Sequence, residues 1–523
     1  MRLLVTFLCV LSILAAEPIP KLTKTGDQHQ LIVNGEPFIL LGAQVRNSSG
    51  WPSELNSVWK QAKQMHVNTV EIPIYWEDVE PEKGRFNFAT VDAIVEGARE
   101  NDLRLVLLWF ATWKNGAMDY APGWVKADPA TYPRMIDPAG NPVRVLSPHS
   151  ETNRNADRDA FTAFMRHLKQ IDGVHRTVIM VQVQNEPGSL FTVRDYSDAS
   201  NKLFAGPAPA DFVRKLGKSA GTWSEVFGAE AEEAFAAYHV ATYVNAVAEA
   251  GKKEYPLPMS VNVWLKERKA YERPAENYPS GGATSNMLDV WKAAAPSIDV
   301  LAPDIYVRDY VGYREVCESY LRPDNALLIP ETGGSGRFVG YMFYALADYG
   351  AIGWAPFGFN VPGDNANLSP RLKDVAANFG LLGPALPKIA ELQASGKLKA
   401  AVEQDQLTNI HLVFDEYEAL TSFGSLRPGY GGLSASGTQN KKGRVLIGQE
   451  SPDEFWVMGF EGRVTFRPKL GSEKQNAQFL RVEVGHFENG EWKVERLLNG
   501  DSTFFALRMS GTGTILHVKL MSY

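Results

Sequence analysis

Two rhythms of apolar residues alternate from about residue 31 to residue 395. Short β-rich runs are followed by stretches with apolar positions at i, i+3, i+4 and i+7, the pattern of a strand feeding an amphipathic helix. Phe38-Ile39-Leu40-Leu41 is the first run, and Leu55, Val58, Trp59, Ala62 and Met65 share one face of the helix predicted after it. Residues 69–74 form the next predicted strand, and Val91, Ile94, Val95 and Ala98 mark the next helix. A third strand (RLVLLW, 104–109) precedes a helix carrying Phe161, Phe164, Met165 and Leu168; a fourth spans 177–183 and runs into Asn-Glu-Pro. Further strands are predicted at 259–263, 299–302, 326–329 and 352–355, with helices at 230–250 and 338–349 among them. Eight strands alternating with helices predict a (β/α)8 barrel, an α/β fold. A doubly wound sheet would also alternate, but nothing here resembles its Gly-rich phosphate turn.

The texture changes after about residue 396. FWVMGFEGRVTFRP and FLRVEVGHFENGEWKVERLL are β-rich, Glu488-Asn489-Gly490-Glu491 reads as a hairpin turn, and Gly429 to Gly443 reads as loop. The expected organisation is a catalytic barrel over 17–395 and a smaller all-β, sandwich-like accessory domain over 396–523. Residues 1–16 are expected to be a signal peptide: Met1-Arg2 leads into LLVTFLCVLSILAA, with cleavage near Ala16. Ile13 or Leu14 stands where a small residue is preferred, and an uncut anchor is the competing reading, but the run is short for a bilayer. An exported protein, periplasmic or extracellular, is therefore expected. Cys9 would leave with the leader. Cys317 would then have no partner, and its helical spacing with Tyr313, Tyr320 and Leu321 makes it a core residue.

Composition narrows the function class. The 523 residues exceed one ordinary core, in line with a large and a small domain. A formal charge of −7 argues against a nucleic-acid partner, and no segment after the leader is apolar enough for membrane insertion. The 12 Trp and 19 Tyr suit stacking on sugar faces, although core packing accounts for many aromatics in any large protein. His66, His149, His167 and His175 lack metal-ligand spacing, so no metal or other cofactor is expected. Asn47-Ser48-Ser49 fits a glycosylation sequon.

Candidate chemistry rests on two glutamates. In a (β/α)8 barrel, functional side chains gather at the C-terminal strand ends. Glu186 follows the fourth strand in VQVQNEPG, and Glu331 follows the seventh in ALLIPETGG. Either motif alone is ambiguous, since Asn-Glu-Pro also suits a loop entering a helix. Together they place two carboxyls across one barrel mouth, as glycosidic cleavage requires. Glu186 is read as the acid/base, kept protonated by burial and by the charge of Glu331, the nucleophile.

The chain resembles glycoside hydrolase family 35, the β-galactosidases, within the retaining barrel clan whose glutamates follow strands four and seven. The carriers are Leu31 to Ile39, Gly42 to Arg46, Trp76 with Glu80-Pro81-Glu82-Lys83-Gly84-Arg85-Phe86, Gln184-Asn185-Glu186 and Glu331. The tail with ENGEWKVERLLNGD is similar to the C-terminal domain of a bacterial branch of that family. The resemblance implies that Asn185 binds a sugar 2-hydroxyl and that Tyr306 hydrogen-bonds Glu331. It further implies that Arg46 keeps Glu331 ionised and that Trp354 floors the sugar site. Two departures touch specificity. The family's tyrosine after strand two is replaced by Glu71-Ile-Pro-Ile-Tyr-Trp, and its Ala-Glu-Trp after strand three by Ala111-Thr112-Trp113. Tyr75, Trp113, Lys114 or Asn115 would then meet hydroxyls 4 and 6. Glu77, Asp78 and Glu80 fit a solvated acidic loop as well as subsites. The expected activity is an exo-acting β-galactosidase releasing terminal galactose from plant-type carbohydrate. Another β-glycosidase or endo-glycanase of the clan is the alternative, and an inactive sugar-binding protein is the alternative from a different class.

Overall fold

The computed structural model describes residues 17–523 apart from 27, 268–271, 362–366, 406–408, 425, 430 and 431; the predicted leader and Cys9 lie outside the described residues. Eight strands form a closed parallel barrel: β1 (Leu40–Gln44), β2 (Thr69–Tyr75), β3 (Arg104–Lys114), β4 (Val178–Asn185), β5 (Met259–Trp264), β6 (Val300–Ile305), β7 (Leu328–Thr332) and β8 (Gly353–Pro356). Each pairs with its sequence neighbours, and the ring closes where Gly353 and Trp354 of β8 face Leu40 and Leu41 of β1. The principal helices are α1 (Pro52–Gln64), α2 (Ala89–Glu100), α3 (Glu151–Asp172), α4 (Ala231–Glu254), α5 (Leu288–Ala294), α6 (Tyr310–Tyr320), α7 (Arg337–Ala347) and α8 (Lys373–Leu382).

All eight predicted strands exist, several with shifted ends. Strand β1 begins at Leu40 because Phe38 belongs to an antiparallel three-stranded sheet (Lys21–Thr25, Gln28–Val33, Glu36–Phe38). That sheet packs Leu22, Leu31, Val33 and Phe38 against the inner barrel cluster, beside Val300 at the start of β6 and Ala326 and Ile352 just before β7 and β8. Strand β3 runs five residues beyond the predicted end, to Lys114. Side-chain parity then sorts the barrel into two cores, because successive strand residues point to opposite faces. Along β3, Val106, Leu108 and Phe110 lie in the inner cluster, while Leu105, Leu107, Trp109, Ala111 and Trp113 pack outward on the helices.

The C-terminal region is a β-sandwich. A six-stranded antiparallel sheet (Leu398–Val402, Arg444–Ser451, Glu454–Phe460, Thr514–Ser522, Ala477–Glu488, Glu491–Leu497) faces a four-stranded one (Asn409–Val413, Tyr417–Phe423, Gly462–Pro468, Leu507–Arg508). Phe423, Phe455, Val457, Val464 and Val518 fill the space between them. The predicted hairpin turn is present: Glu488 pairs with Glu491 across Asn489 (φ 51°) and Gly490 (φ 80°), the two positive φ values a type I′ turn needs. The stretch read as loop from Gly429 instead contains a two-stranded ribbon, Leu426–Gly429 with Gly432–Ala435. The other face of the six-stranded sheet joins the barrel: Leu446, Trp456, Met458, Phe460 and Ile515 belong to the same apolar cluster as the barrel helices. No helix among the described residues is long and apolar enough to cross a membrane. Cys317 is fully buried in α6, as its spacing predicted.

Candidate active site

Glu186 lies just past β4 and Glu331 is the penultimate residue of β7. Both are more than nine-tenths buried. The chain around Glu186 is strained: Gln184 (φ 68°) and Glu186 (φ 45°) occupy the left-handed region, at a typical cost of about 1–3 kcal/mol each. Fixed partners hold it there. Gln184 Nε2 donates to Asp157 Oδ2 (2.6 Å), and its Oε1 accepts from the Trp113 backbone N–H (3.0 Å). Asp157, fully buried on α3, also accepts from Trp109 Nε1 (2.9 Å) and Thr112 Oγ1 (2.6 Å). The Glu186 backbone N–H donates to Asn262 Oδ1 at 2.8 Å, and the Glu186 carbonyl accepts from Gly116 N at 3.1 Å.

Glu331 is held by Tyr306, whose Oη donates to Oε1 (2.8 Å), and by Gln44, whose Nε2 donates to Oε2 (3.2 Å). A third acid completes the group. Asp304, at the end of β6, brings a carboxylate oxygen within 4.8 Å of one from Glu186 and one from Glu331. A cavity of about 350 Å³ opens on them, lined also by Asn115, Trp264, Leu265, Glu267 and Tyr306. Among the described residues one other trio, Glu450, Glu454 and His517, is as close-set, and it lies on the β-sandwich. In the barrel trio Lys114 supplies the positive charge, acting on all three acids.

The two glutamates are set apart in proton affinity. Burial, then the charge of Glu331, pushes Glu186 up to about 7, against the opposing pull of Lys114 and Asp304. Burial also raises Glu331, but Lys114, Tyr306 and Gln44 each favour its charged form. One carboxyl thus keeps its proton near neutrality while the other is supported as an anion. Carboxylate oxygens within 4.8 Å place the pair in the close-set class, roughly 5–5.5 Å between carboxyls, that suits direct attack on an anomeric carbon.

The other expected site residues divide. Tyr306 is where the resemblance placed it. Both side-chain amide atoms of Asn185, next to Glu186, are buried with no partner among the described residues. Trp354 does not floor the site. The Cβ direction of Gly353 points inward at Leu40 and Leu328, so Trp354 points outward and meets Phe379 of α8 edge-on at 6.2 Å. Trp113 is turned out by the same parity, onto Tyr243 of α4 (4.8 Å). Arg46 is exposed, and its Nε donates to Asn360 O (3.0 Å). Lys114, not Arg46, is the cation acting on Glu331. Tyr75 is structural: its hydroxyl donates to Asn47 O (2.7 Å) and accepts from Gly50 N (3.1 Å), and its ring stacks on Trp51 and Tyr120. Glu80 likewise serves its own loop, accepting from Trp76 Nε1 (3.0 Å) and Gly84 N (2.7 Å).

Asp304, Asn262, Gln44 and Trp264 were missed. Asp304 stands two residues before Tyr306 and carried a signal that could have been read, a charge closing an apolar strand.

Residues 47–236 match the beta-galactosidase family profile Glyco_hydro_42. Residues 375–510 match a domain of unknown function, DUF5597. Beta-galactosidase 13 of Arabidopsis thaliana is 28% identical over 115 residues, 21% of this chain and 13% of that protein. A beta-galactosidase of Xanthomonas manihotis is 28% identical over 172 residues, 31% of this chain and 25% of that protein. The chain thus aligns with a quarter or less of the length of these two relatives. The beta-galactosidase of the psychrophilic Marinomonas ef1 shares the fold, with a TM-score of 0.50 at 14% identity, over 68% of this chain and 62% of that one. The profile match is to family 42, where the sequence motifs resembled family 35; similarity to β-galactosidases with a barrel fold is common to both.

Proposed function

We propose that the protein is a retaining β-galactosidase that releases terminal galactose by double displacement. The observation that carries the reading is the pair at the ends of β4 and β7, Glu186 and Glu331, with carboxylate oxygens within 4.8 Å. Glu331 attacks the anomeric carbon while Glu186 protonates the departing oxygen. Once Glu331 is esterified its charge is gone, so Glu186 ionises more readily and serves as base for the incoming water. Asn185 offers hydrogen bonds to the sugar, and the half-exposed rings of Trp264 and Tyr306 border the cavity. Exo action on plant-type oligosaccharides and kinship with family 35 rest on the motif resemblance alone. Export rests on the composition of residues 1–16.

Turnover of a panel of aryl β-glycosides (galactoside, glucoside, xyloside, mannoside, fucoside, arabinoside) tests the reading. Galactoside is expected to dominate, and Glu331→Ala to abolish it. Glu186→Ala should slow poor leaving groups by about 10²–10⁴ and spare activated aryl ones in the first step. Since Tyr75 is committed to its own loop, the groups that read hydroxyls 4 and 6 differ from the family pattern. A dominant rate on another sugar would keep the mechanism and overturn the specificity; silence with retained sugar binding would overturn both.

A further inference from the structure

We propose that Asp304 is a positioning residue of this site, a permanently protonated carboxylic acid whose Oδ1–H is presented to Glu186. The proposal rests on the glycosidase reading for its kinetic consequence, but its structural basis is independent of any substrate.

Asn262 bridges Glu186 and Asp304. A backbone N–H can only donate, so the atom of Asn262 that faces Glu186 N at 2.8 Å must be the carbonyl Oδ1. That fixes the amide, and Nδ2 is left to face Asp304 Oδ2 at 2.7 Å. Asp304 Oδ2 is therefore an acceptor. A proton on Asp304 must sit on Oδ1, which is buried, accepts no hydrogen bond from the described residues and belongs to a side chain that lines the cavity and is hydrogen-bonded to Glu186. A buried carboxyl oxygen without a partner is costly as an anion and useful as a donor.

Charge balance favours the donor. The charged groups that act on Asp304 are Glu331, Glu186 and Lys114, and Tyr306 and Tyr320 also lie within its electrostatic reach. One cation faces three acids, and three carboxyls sharing a site cannot all ionise. Burial, then Glu331 and Glu186, hold Asp304 well above the usual carboxylate range, and Glu331 keeps the one negative charge that Lys114 matches. When Glu186 passes its proton to the leaving oxygen, the carboxylate left behind accepts a hydrogen bond from Asp304 Oδ1–H. Asp304 keeps its proton throughout; only the Glu186 proton moves. Asp304 thus makes Glu186 a stronger acid than its burial alone would allow.

Asparagine at this position reproduces the protonated acid atom for atom, with Oδ1 accepting from Asn262 and Nδ2 donating toward Glu186. In the Asp304→Asn full-length protein the alkaline limb of kcat/KM should stay where it is in the parent. In Asp304→Ala it should move up by about one pH unit, as the donor to the Glu186 carboxylate is lost. A limb that moves to lower pH in Asp304→Asn would mean that Asp304 is ionised in the parent, and an unmoved limb in folded Asp304→Ala would make its role merely structural; either overturns the proposal. ¹³C NMR of aspartate-carboxyl-labelled protein, with Asp304→Asn identifying the resonance, reads the same proton without turnover. A protonated shift held through neutral pH is expected, and an ionised one refutes it. If the parent hydrolyses nothing, the glycosidase reading falls while the NMR result still decides the state of Asp304.

Discussion

Glu71 offers a stability test whose sign is opposite to that expected of most buried-site mutations. It lies in β2, pairs by backbone with Gln44 and Val106, and is fully buried inside the barrel. Neither carboxyl oxygen has a partner among the described residues, and one lies 3.3 Å from the point where a Cβ on Gly42 would sit. Burial, then the charge of Glu331, raises its pKa well above the ordinary carboxyl value, which favours a neutral acid whose oxygens accept no hydrogen bond from the described residues. Burying such a group costs about 1–3 kcal/mol. Glu71→Met conserves volume and removes the polar atoms, so it should stabilise the protein by about that amount in mildly acid solution. The pH dependence gives a second signature. A carboxyl whose pKa is raised by folding binds more protons folded than unfolded in the window between the two values. The parent therefore loses stability as pH rises through that window, by up to about 1.4 kcal/mol per unit for this one group. The variant lacks that contribution, so its advantage should widen from about pH 5 to about pH 7. Urea unfolding followed by tryptophan fluorescence at the two pH values measures both effects. Glu71 does not line the cavity, and turnover should stay within a few-fold. A destabilised variant, or a difference that does not widen with pH, would refute the claim that the group is an unpartnered acid.

Other outcomes follow from the same coordinates. The kcat/KM profile should have its alkaline limb near pH 7, where Glu186 loses the proton it must donate, and should fall again in acid as Glu331 is protonated. Asp157→Ala orphans buried donors on Trp109 and Gln184, leaves Thr112 only Tyr243, and should cost about 3 kcal/mol or more in urea unfolding, with turnover lost as the end of β4 relaxes. Trp264→Ala, at a residue 38% exposed beside the cavity, should leave the melting temperature unchanged while raising KM more than it lowers kcat.

The barrel was legible because each strand and helix announces its own period, and the two glutamates because each closes an apolar run at a strand end. What failed was parity. Trp113 and Trp354 are near the mouth in sequence, but one residue of alternation decides between sugar and helix, and both point to the helices. At β8 the sequence did hold the clue: Gly353 takes the inward direction at a point crowded by Leu40 and Leu328, which leaves the tryptophan outside. Arg46 failed for a different reason, since its partner Asn360 is more than 300 residues away and no local pattern foretells it. Gln44, Asn262 and Asp304 stand singly within or just past apolar runs, and only the closed ring points them at one spot.

The joint between sandwich and barrel has a practical meaning for anyone dissecting the chain. Gly448 is so close to Leu392 that a Cβ would lie 2.4 Å from it, and Gly340 of α7 stands as close to Val402. Arg444 reaches from the sandwich to Asn378 of α8 at 2.6 Å and lies over the rings of Phe343 and Phe460. A clone ending near residue 395 would strip the cover from α7 and α8 and present their greasy backs to water. Such a fragment should collect in inclusion bodies, and the region matching the uncharacterised domain should be cloned, expressed and engineered as an inseparable half of one folding unit.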